Sequence, residues 1–276
     1  MVCIKRSLRV IAVLALVGSA AHAQQITFSS DSTKTVQQAP PPPPPVKLKA
    51  PKVKPILHEM SFGMRLNTNG WSFFTDYGKA KAADLKKADM FYNLMYLQAE
   101  FTEKKDPKEQ KVAAQTLTNK GSSNYIYGKI NNFYALKLGA GFRKLIAGKP
   151  DPGCVSIHWA NTLGFSLGMQ KPYYVVVSGS NAIKYSDVDK DDFLNRNVIR
   201  GAGGFSKGLG EMVFIPGGHV KSALHFDFST NRKNVLGVEA GVNAEFYSQP
   251  IALMANEKTV TNFIDLFVSF QYGRRW

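Results

Sequence analysis

Val155-Ser-Ile-His-Trp-Ala-Asn-Thr-Leu-Gly-Phe-Ser-Leu-Gly-Met169 alternates along its whole length. Odd positions carry Val155, Ile157, Trp159, Leu163, Phe165, Leu167 and Met169, with Asn161 the one polar exception. Even positions carry Ser156, His158, Ala160, Thr162, Gly164, Ser166 and Gly168. A period of two sustained this far describes an extended strand with one apolar and one small or polar face, and no helix has that period.

The same rule runs outward from this stretch. In Leu236–Phe246 the even positions are apolar and Gly237, Glu239, Gly241, Asn243 and Glu245 interleave. In Val220–Phe228, Leu224, Phe226 and Phe228 oppose His225 and Asp227. In Ile264–Tyr272, Ile264, Leu266, Val268, Phe270 and Tyr272 oppose Asp265, Phe267, Ser269 and Gln271. Ile126–Phe142 and Phe91–Phe101 follow more loosely. Strands of 9 to 15 residues exceed the ~5–6 usual in soluble sheets and suit a tilted membrane strand of ~9–11 residues with some extension. Small residues opposite the apolar face suit the crowded interior of a narrow barrel. A soluble β-sandwich is the competing fold.

Eight strands are predicted, over 61–67, 71–78, 90–103, 125–146, 154–178, 219–229, 234–247 and 262–273, with the first pair split at Asn69-Gly70, a hairpin signal. An even count places both ends of the barrel on one side. The turns at 147–153 and 230–233 and the 79–89 link then share that side, and the longer loops 104–124, 179–218 and 248–261 share the other. Short periplasmic turns and long outer loops are the asymmetry expected of an outer-membrane barrel. The chain closes on an amphipathic strand containing Phe270 and Tyr272 and on Trp276. Such an ending resembles the signal by which barrel-insertion machinery recognises its substrates.

The other end is different in kind. Met1–Ala23 has Lys5, Arg6 and Arg9, an apolar block Val10–Val17, and Ala21-His-Ala23 before Gln24, the form of a secretory signal peptide. Its loss would leave 253 of the 276 residues, and removing its three positive charges takes the net charge from +15 to +12. Cys3 would leave with it, so Cys154 would stand without an intramolecular partner and a CxxC metal knuckle is excluded. Residues 24–60 read as a disordered Pro/Lys-rich periplasmic tail. Pro40–Pro45 is an unbroken run, and Lys47, Lys49, Lys52 and Lys54 follow among Pro51 and Pro55. In polyproline II geometry, 40–55 would span ~50 Å at ~3.1 Å per residue, enough to reach a periplasmic partner. Beyond the signal no apolar run reaches the ~20 residues of a membrane helix. Export argues against a nucleic-acid partner despite the basic balance.

Gly70–Lys79 (GWSFFTDYGK), Asp106–Lys111 (DPKEQK), Gly164–Tyr174 (GFSLGMQKPYY), Gly204–Gly217 (GFSKGLGEMVFIPG) and the closing YGRRW resemble an uncharacterised family of small Bacteroidetes-type outer-membrane β-barrels. The resemblance covers roughly 60–276 and implies fold and location, with no activity attached.

If the alternation is a barrel, its inward set includes Arg65, Lys137 and Arg143 against Glu100, Asp227, Glu239, Glu245 and Asp265, with His158, His225, Gln98, Asn243 and Gln271. Eight strands enclose only enough room for side chains, so these charges are expected to pair into a lumen polar network. Ser156 with His158, and His225 with Asp227, have the residue types of a catalytic triad, but i, i+2 neighbours on a strand point the same way without touching. Asp187, Asp189 and Asp191 form a D-x-D-x-D run whose sixth and twelfth positions, Asp192 and Val198, lack the Gly and Glu of a calcium loop; a helix start with Asp187 near the cap explains it as well. Gly201–Gly210 matches no phosphate-binding glycine pattern and reads as a loop or a segment over the barrel mouth. Lys104, Lys105, Lys108 and Lys111 are expected at the outer surface, where they could meet lipopolysaccharide phosphates.

The sequence therefore predicts an all-β chain: a signal peptide (1–23), a tail (24–60) and a single antiparallel transmembrane barrel of about eight strands (61–276). A non-enzymatic structural or interaction role is expected, one accessory to an envelope or surface complex included, with outer-membrane lipid as its surroundings and no cofactor or metal. A narrow solute-transport barrel and a lipid-modifying enzyme are the alternatives.

Overall fold

The computed structural model describes residues 56–80, 93–114, 124–149, 153–178, 182–186, 188–231, 233–255 and 258–276. Expectations for the signal peptide and for 24–55, the proline run included, lie outside the described residues. In chain order the strands are β1 (His58–Asn67), β2 (Gly70–Ala80), β3 (Leu94–Lys104), β4 (Lys111–Val112), β5 (Tyr125–Ile126), β6 (Asn131–Ala147), β7 (Ser156–Pro172), β8 (Tyr174–Val177), β9 (Ala182–Lys184), β10 (Ile199–Ala202), β11 (Val213–Asp227), β12 (Asn234–Ile251) and β13 (Val260–Arg275). One short helix, α1 (Lys190–Leu194), lies between β9 and β10.

Eight of these strands close into an antiparallel barrel in the order β1-β2-β3-β6-β7-β11-β12-β13, and β13 returns to β1. Every barrel neighbour is the next long strand in sequence, so closure needs no crossover and leaves no unpaired edge. The last residue takes part: the Trp276 carbonyl accepts from the Leu57 and His58 amides at 2.9 Å each, and its own N–H donates to the His58 carbonyl at 3.0 Å. The described residues are therefore all-β apart from α1 and one 3-10 turn at Leu209–Glu211, as the periodicity predicts.

Burial alternates with the side-chain period. Along β13, Phe263, Asp265, Phe267, Ser269, Gln271, Gly273 and Arg275 are buried, while Ile264, Leu266, Val268, Phe270 and Tyr272 are exposed. Along β7, Phe165 is 85% exposed beside buried Ser166. Large apolar side chains thus cover the outside of the closed sheet, and polar and small ones fill the inside. Water would penalise such an exterior by ~25 cal/mol for each Å² of apolar surface, and a bilayer removes that penalty. From Ile264 to Tyr272 the strand runs about 27 Å at ~3.4 Å per residue, or about 21 Å along the membrane normal at a tilt of about 40°, comparable with the ~25 Å apolar band of membrane barrels.

The structure moves several predicted boundaries. β1 starts at His58, inside the expected tail, because Glu59 is drawn into the barrel. The predicted 125–146 strand breaks into β5 and β6 at a turn where Gly128 has φ 72°. The predicted 154–178 strand ends at Pro172, and β8 leaves the barrel to pair with β9 and β10. β11 begins six residues ahead of the expected 219, at Val213. The first turn uses Thr68 and Asn69, with Gly70 opening β2 at φ 147°, where a Cβ would stand 1.9 Å from the Glu103 carbonyl oxygen.

The long connections fold. β8, β9 and β10 form a small sheet, β4 pairs with β5, and α1 packs on them through buried Phe193. Tyr125, Val175, Phe193 and Ile199 make a separate apolar cluster, and the Tyr127 hydroxyl donates to the Leu194 carbonyl at 2.9 Å. Asp189, rather than Asp187, stands at the N-cap of α1, with Asp191 and Asp192 in its first turn, so the acidic run is a helix start. Asp187 itself lies outside the described residues, and among those described no group of three or more potential metal ligands converges.

Candidate functional site: the filled lumen and its two rims

Because inward positions alternate on every strand, side chains far apart in sequence meet across the barrel. Glu100 on β3 receives Lys137 from β6 at 2.6 Å and pairs with Arg65 from β1. Lys137 also reaches Glu245 on β12 at 2.9 Å, and Glu245 takes Lys104 at 3.0 Å. Lys104 pairs in turn with Asp265 on β13. Arg65 is further sandwiched by aromatic faces, its guanidinium 4.8 Å from the Phe74 centroid and 4.4 Å from that of Phe267. Toward the chain-terminus end a second network forms. Arg143 meets Glu59 at 2.7 Å and Asp76 at 3.5 Å, and Arg275 bridges Glu59 and Asp227 at 2.7 and 2.6 Å. Lys149 folds in from the β6–β7 turn to Asp227 at 3.1 Å and to the Ser229 carbonyl at 2.7 Å. Between the two networks, Lys221 stands 2.8 Å from Glu239.

Seven cations (Arg65, Lys104, Lys137, Arg143, Lys149, Lys221, Arg275) thus face seven carboxylates (Glu59, Asp76, Glu100, Asp227, Glu239, Glu245, Asp265), all buried. The balance is what burial demands, since an uncompensated charge there costs several kcal/mol. At the loop end an apolar layer lies over the charges. Phe133, Ile215, Tyr247 and Phe263 point inward from four strands, joined by Ile251 and by Leu253 from the β12–β13 loop. Phe133 stacks on Phe263 at 5.7 Å between centroids. The Asn131 side-chain amide donates to the Ala252 carbonyl at 2.7 Å and holds that loop across the mouth.

All ten charged and histidine residues of the expected network (Arg65, Glu100, Lys137, Arg143, His158, His225, Asp227, Glu239, Glu245 and Asp265) are buried in the lumen, with Gln98, Asn243 and Gln271. The sequence reading omitted Glu59, Asp76, Lys104, Lys149, Lys221 and Arg275. Asp76 and Lys221 sit at inward parity within predicted strands and were legible by the same rule. Glu59, Lys104, Lys149 and Arg275 fall just outside the predicted strand ends. The expectation that Lys104 belongs to an outer-surface cluster is corrected: it is fully buried, while Lys105 lies 3.4 Å from Glu103 with its side chain 45% exposed.

The candidate triad residues do come close, without becoming a triad. The β7–β11 register puts His158 opposite His225 and Ser156 opposite Asp227, with the imidazole centroids 5.9 Å apart. Asp227 is committed to Arg275, Lys149 and the Ser229 amide. His225 Nδ1 is 3.7 Å from Glu239, beyond hydrogen-bond length. A Ser–His contact does occur elsewhere, Ser166 Oγ to His219 Nδ1 at 3.1 Å, but the His219 ring packs on Gly139 and Gly164 inside the lumen. The ring lies tight against both: a Cβ on either glycine would come within 3.0 Å of it.

Two aromatic rims bound the apolar exterior. At the loop end Phe73, Trp71, Phe101, Tyr134 and Phe205 follow one another, with centroid separations of 5.2, 6.4, 5.9 and 6.5 Å. At the terminus end Trp276 stacks on His58 at 6.0 Å and lies 6.5 Å from Tyr77. Phe270, Tyr272 and Trp276, the expected membrane-insertion end, are 55%, 60% and 53% exposed on the outer face of the closing strand.

A closed sheet that is apolar outside, charged and balanced inside, and ringed by aromatics at both ends is a membrane-spanning β-barrel. No protein-family model matches the chain, and no curated protein sequence matches it. Among solved structures it is similar to Ail, the attachment invasion locus protein of Yersinia pestis, in complex with the heparin analogue sucrose octasulfate (10% identity, 80% of this chain and 99% of that one, TM-score 0.36). It is also similar to Neisserial surface protein A (8%, 78% and 95%, TM-score 0.35) and to the N-terminal β-barrel domain of Pseudomonas aeruginosa OprF (11%, 79% and 96%, TM-score 0.33). The assignment to a membrane barrel rests on the chain's own closed sheet and apolar exterior.

Proposed function

We propose that the protein is a non-enzymatic outer-membrane barrel with a structural or interaction role, presenting its folded loops on one side and its chain termini to the periplasm. The observation that carries this reading is the filled lumen. Matched charges fill the lumen under an apolar layer, and the carboxylates nearest His158 and His225 are committed to Arg143, Arg275, Lys149 and Lys221. The folded loop cluster around Phe193 supports an interaction role, because a barrel serving only as a membrane plug has no use for a second apolar core. The Pro40–Pro55 segment would extend toward a periplasmic partner, and the closing strand would be read by the barrel-insertion machinery. Resemblance to small Bacteroidetes-type outer-membrane barrels is compatible with this reading. Lipopolysaccharide would surround the loop end, where Lys105, Lys108 and Lys111 are exposed.

Planar-bilayer recording tests it. The full-length chain should insert without raising ionic conductance, and a steady single-channel conductance would move the assignment to the narrow transport barrel. Unchanged lipid A mass spectra on alanine substitution of His158 and His225 are expected, and a changed spectrum would favour the lipid-modifying enzyme.

A further inference from the structure

The two ends of the exterior differ in charge. At the loop end exposed cations stand among acidic side chains, as Lys105 with Glu103 and Lys184 with Glu211. At the terminus end, the outward positions next to the apolar band carry Lys79 on β2, Lys144 on β6 and Arg274 on β13, with Lys233 on the β11–β12 turn, all exposed. Among the described residues no acidic side chain is exposed at this end, since Glu59, Asp76 and Asp227 all turn inward. These cations sit among interfacial aromatics. Lys79 lies on the same strand face as Tyr77, opposite His58, which stacks on Trp276. Arg274 lies between Tyr272 and Trp276 along β13, and Lys144 pairs in register with Trp159.

Aromatic side chains at this depth mark the boundary between acyl chains and headgroups. Cations immediately beyond that boundary, with no exposed acidic side chain beside them among the described residues, stand where lipid phosphates lie. We propose that the terminus-end rim is a binding belt for anionic phospholipid headgroups, with Lys79, Lys144, Lys233 and Arg274 as its phosphate-facing cations. The inference rests on the membrane-barrel reading and adds to it the leaflet's lipid chemistry.

The test folds the full-length chain into phosphatidylcholine vesicles containing trace spin-labelled phosphatidylglycerol or spin-labelled phosphatidylcholine. Electron paramagnetic resonance then reads the motionally restricted fraction of each. The wild type should restrict phosphatidylglycerol at least about threefold more strongly than phosphatidylcholine, a modest share of the attraction expected from basic residues near an anionic surface. In K79Q/K144Q/K233Q/R274Q the ratio should fall close to one, and Lys207→Gln at the loop end should leave it unchanged. Equal restriction of both lipids by the wild type, or a ratio unmoved by the quadruple variant, would overturn the belt. Absence of any restricted component for either lipid would instead overturn the membrane reading on which it rests.

Discussion

Glu245 is the most heavily committed carboxylate in the lumen, so its neutralisation measures what the charge balance contributes. One oxygen takes Lys137 at 2.9 Å, Lys104 at 3.0 Å and the Asn243 amide at 2.7 Å; the other takes the Tyr247 hydroxyl at 2.7 Å. Glu245→Gln keeps the size and an acceptor but leaves seven buried cations facing six carboxylates. Breaking a buried pair by removing one partner costs ~3–5 kcal/mol, and Lys137 and Lys104 keep Glu100 and Asp265, which places the expectation near ~3 kcal/mol. With a urea slope of ~2 kcal/mol/M, the unfolding midpoint should fall by ~1.5 M. The assay is urea titration of the folded barrel in detergent micelles, read by the unboiled mobility shift on a gel. The double variant Glu245→Gln with Lys137→Met restores the balance and should be less destabilised than the sum of the two singles by at least ~1 kcal/mol. A midpoint within 0.2 M of wild type, or strict additivity in the cycle, would refute the argument that matched charge holds the lumen together.

Phe165→Arg, at the most exposed position of the apolar band, should cost ~2–4 kcal/mol in vesicles if that band faces lipid, and equal stability of variant and wild type would show that it does not. Gly70→Ala places a Cβ 1.9 Å from the Glu103 carbonyl oxygen at φ 147°, so the first hairpin should weaken by ~1–3 kcal/mol or shift, read as a lower urea midpoint. Lys184 and the Tyr174 hydroxyl hold the Glu211 carboxyl below the usual carboxylate range. A depressed carboxylate stabilises the folded loops above its unfolded value and loses that contribution as pH falls through the folded one. Hydrogen exchange in 174–211 should therefore accelerate, relative to the barrel strands, when pH drops from 7 to below the normal carboxylate range, and Glu211→Gln should abolish that difference.

The alternation at 155–169 and 236–246 determined the strand type, the lipid and lumen faces, and many of the occupants of the lumen. It could do so because parity alone assigns a side chain to a face once the strand is set. Arg65, Lys137 and Glu239 were legible for that reason. Strand ends were less so: Glu59 and Arg275 lie where neighbouring residues no longer alternate, and only their pairing across the barrel shows that the strands extend to include them. Lys104 read as a loop lysine because it follows Phe101-Thr-Glu and precedes Lys105. Its burial depends on Glu245 and Asp265, more than 140 residues away. The core under the β3–β6 and β7–β11 loops was invisible, since Tyr125, Val175, Phe193 and Ile199 come from short segments with no shared period. The sequence by itself determined long antiparallel strands suited to a membrane barrel, and which way the side chains within those strands face. Tertiary structure alone decided which charge meets which, because register and closure bring distant strands together and local pattern carries no record of either.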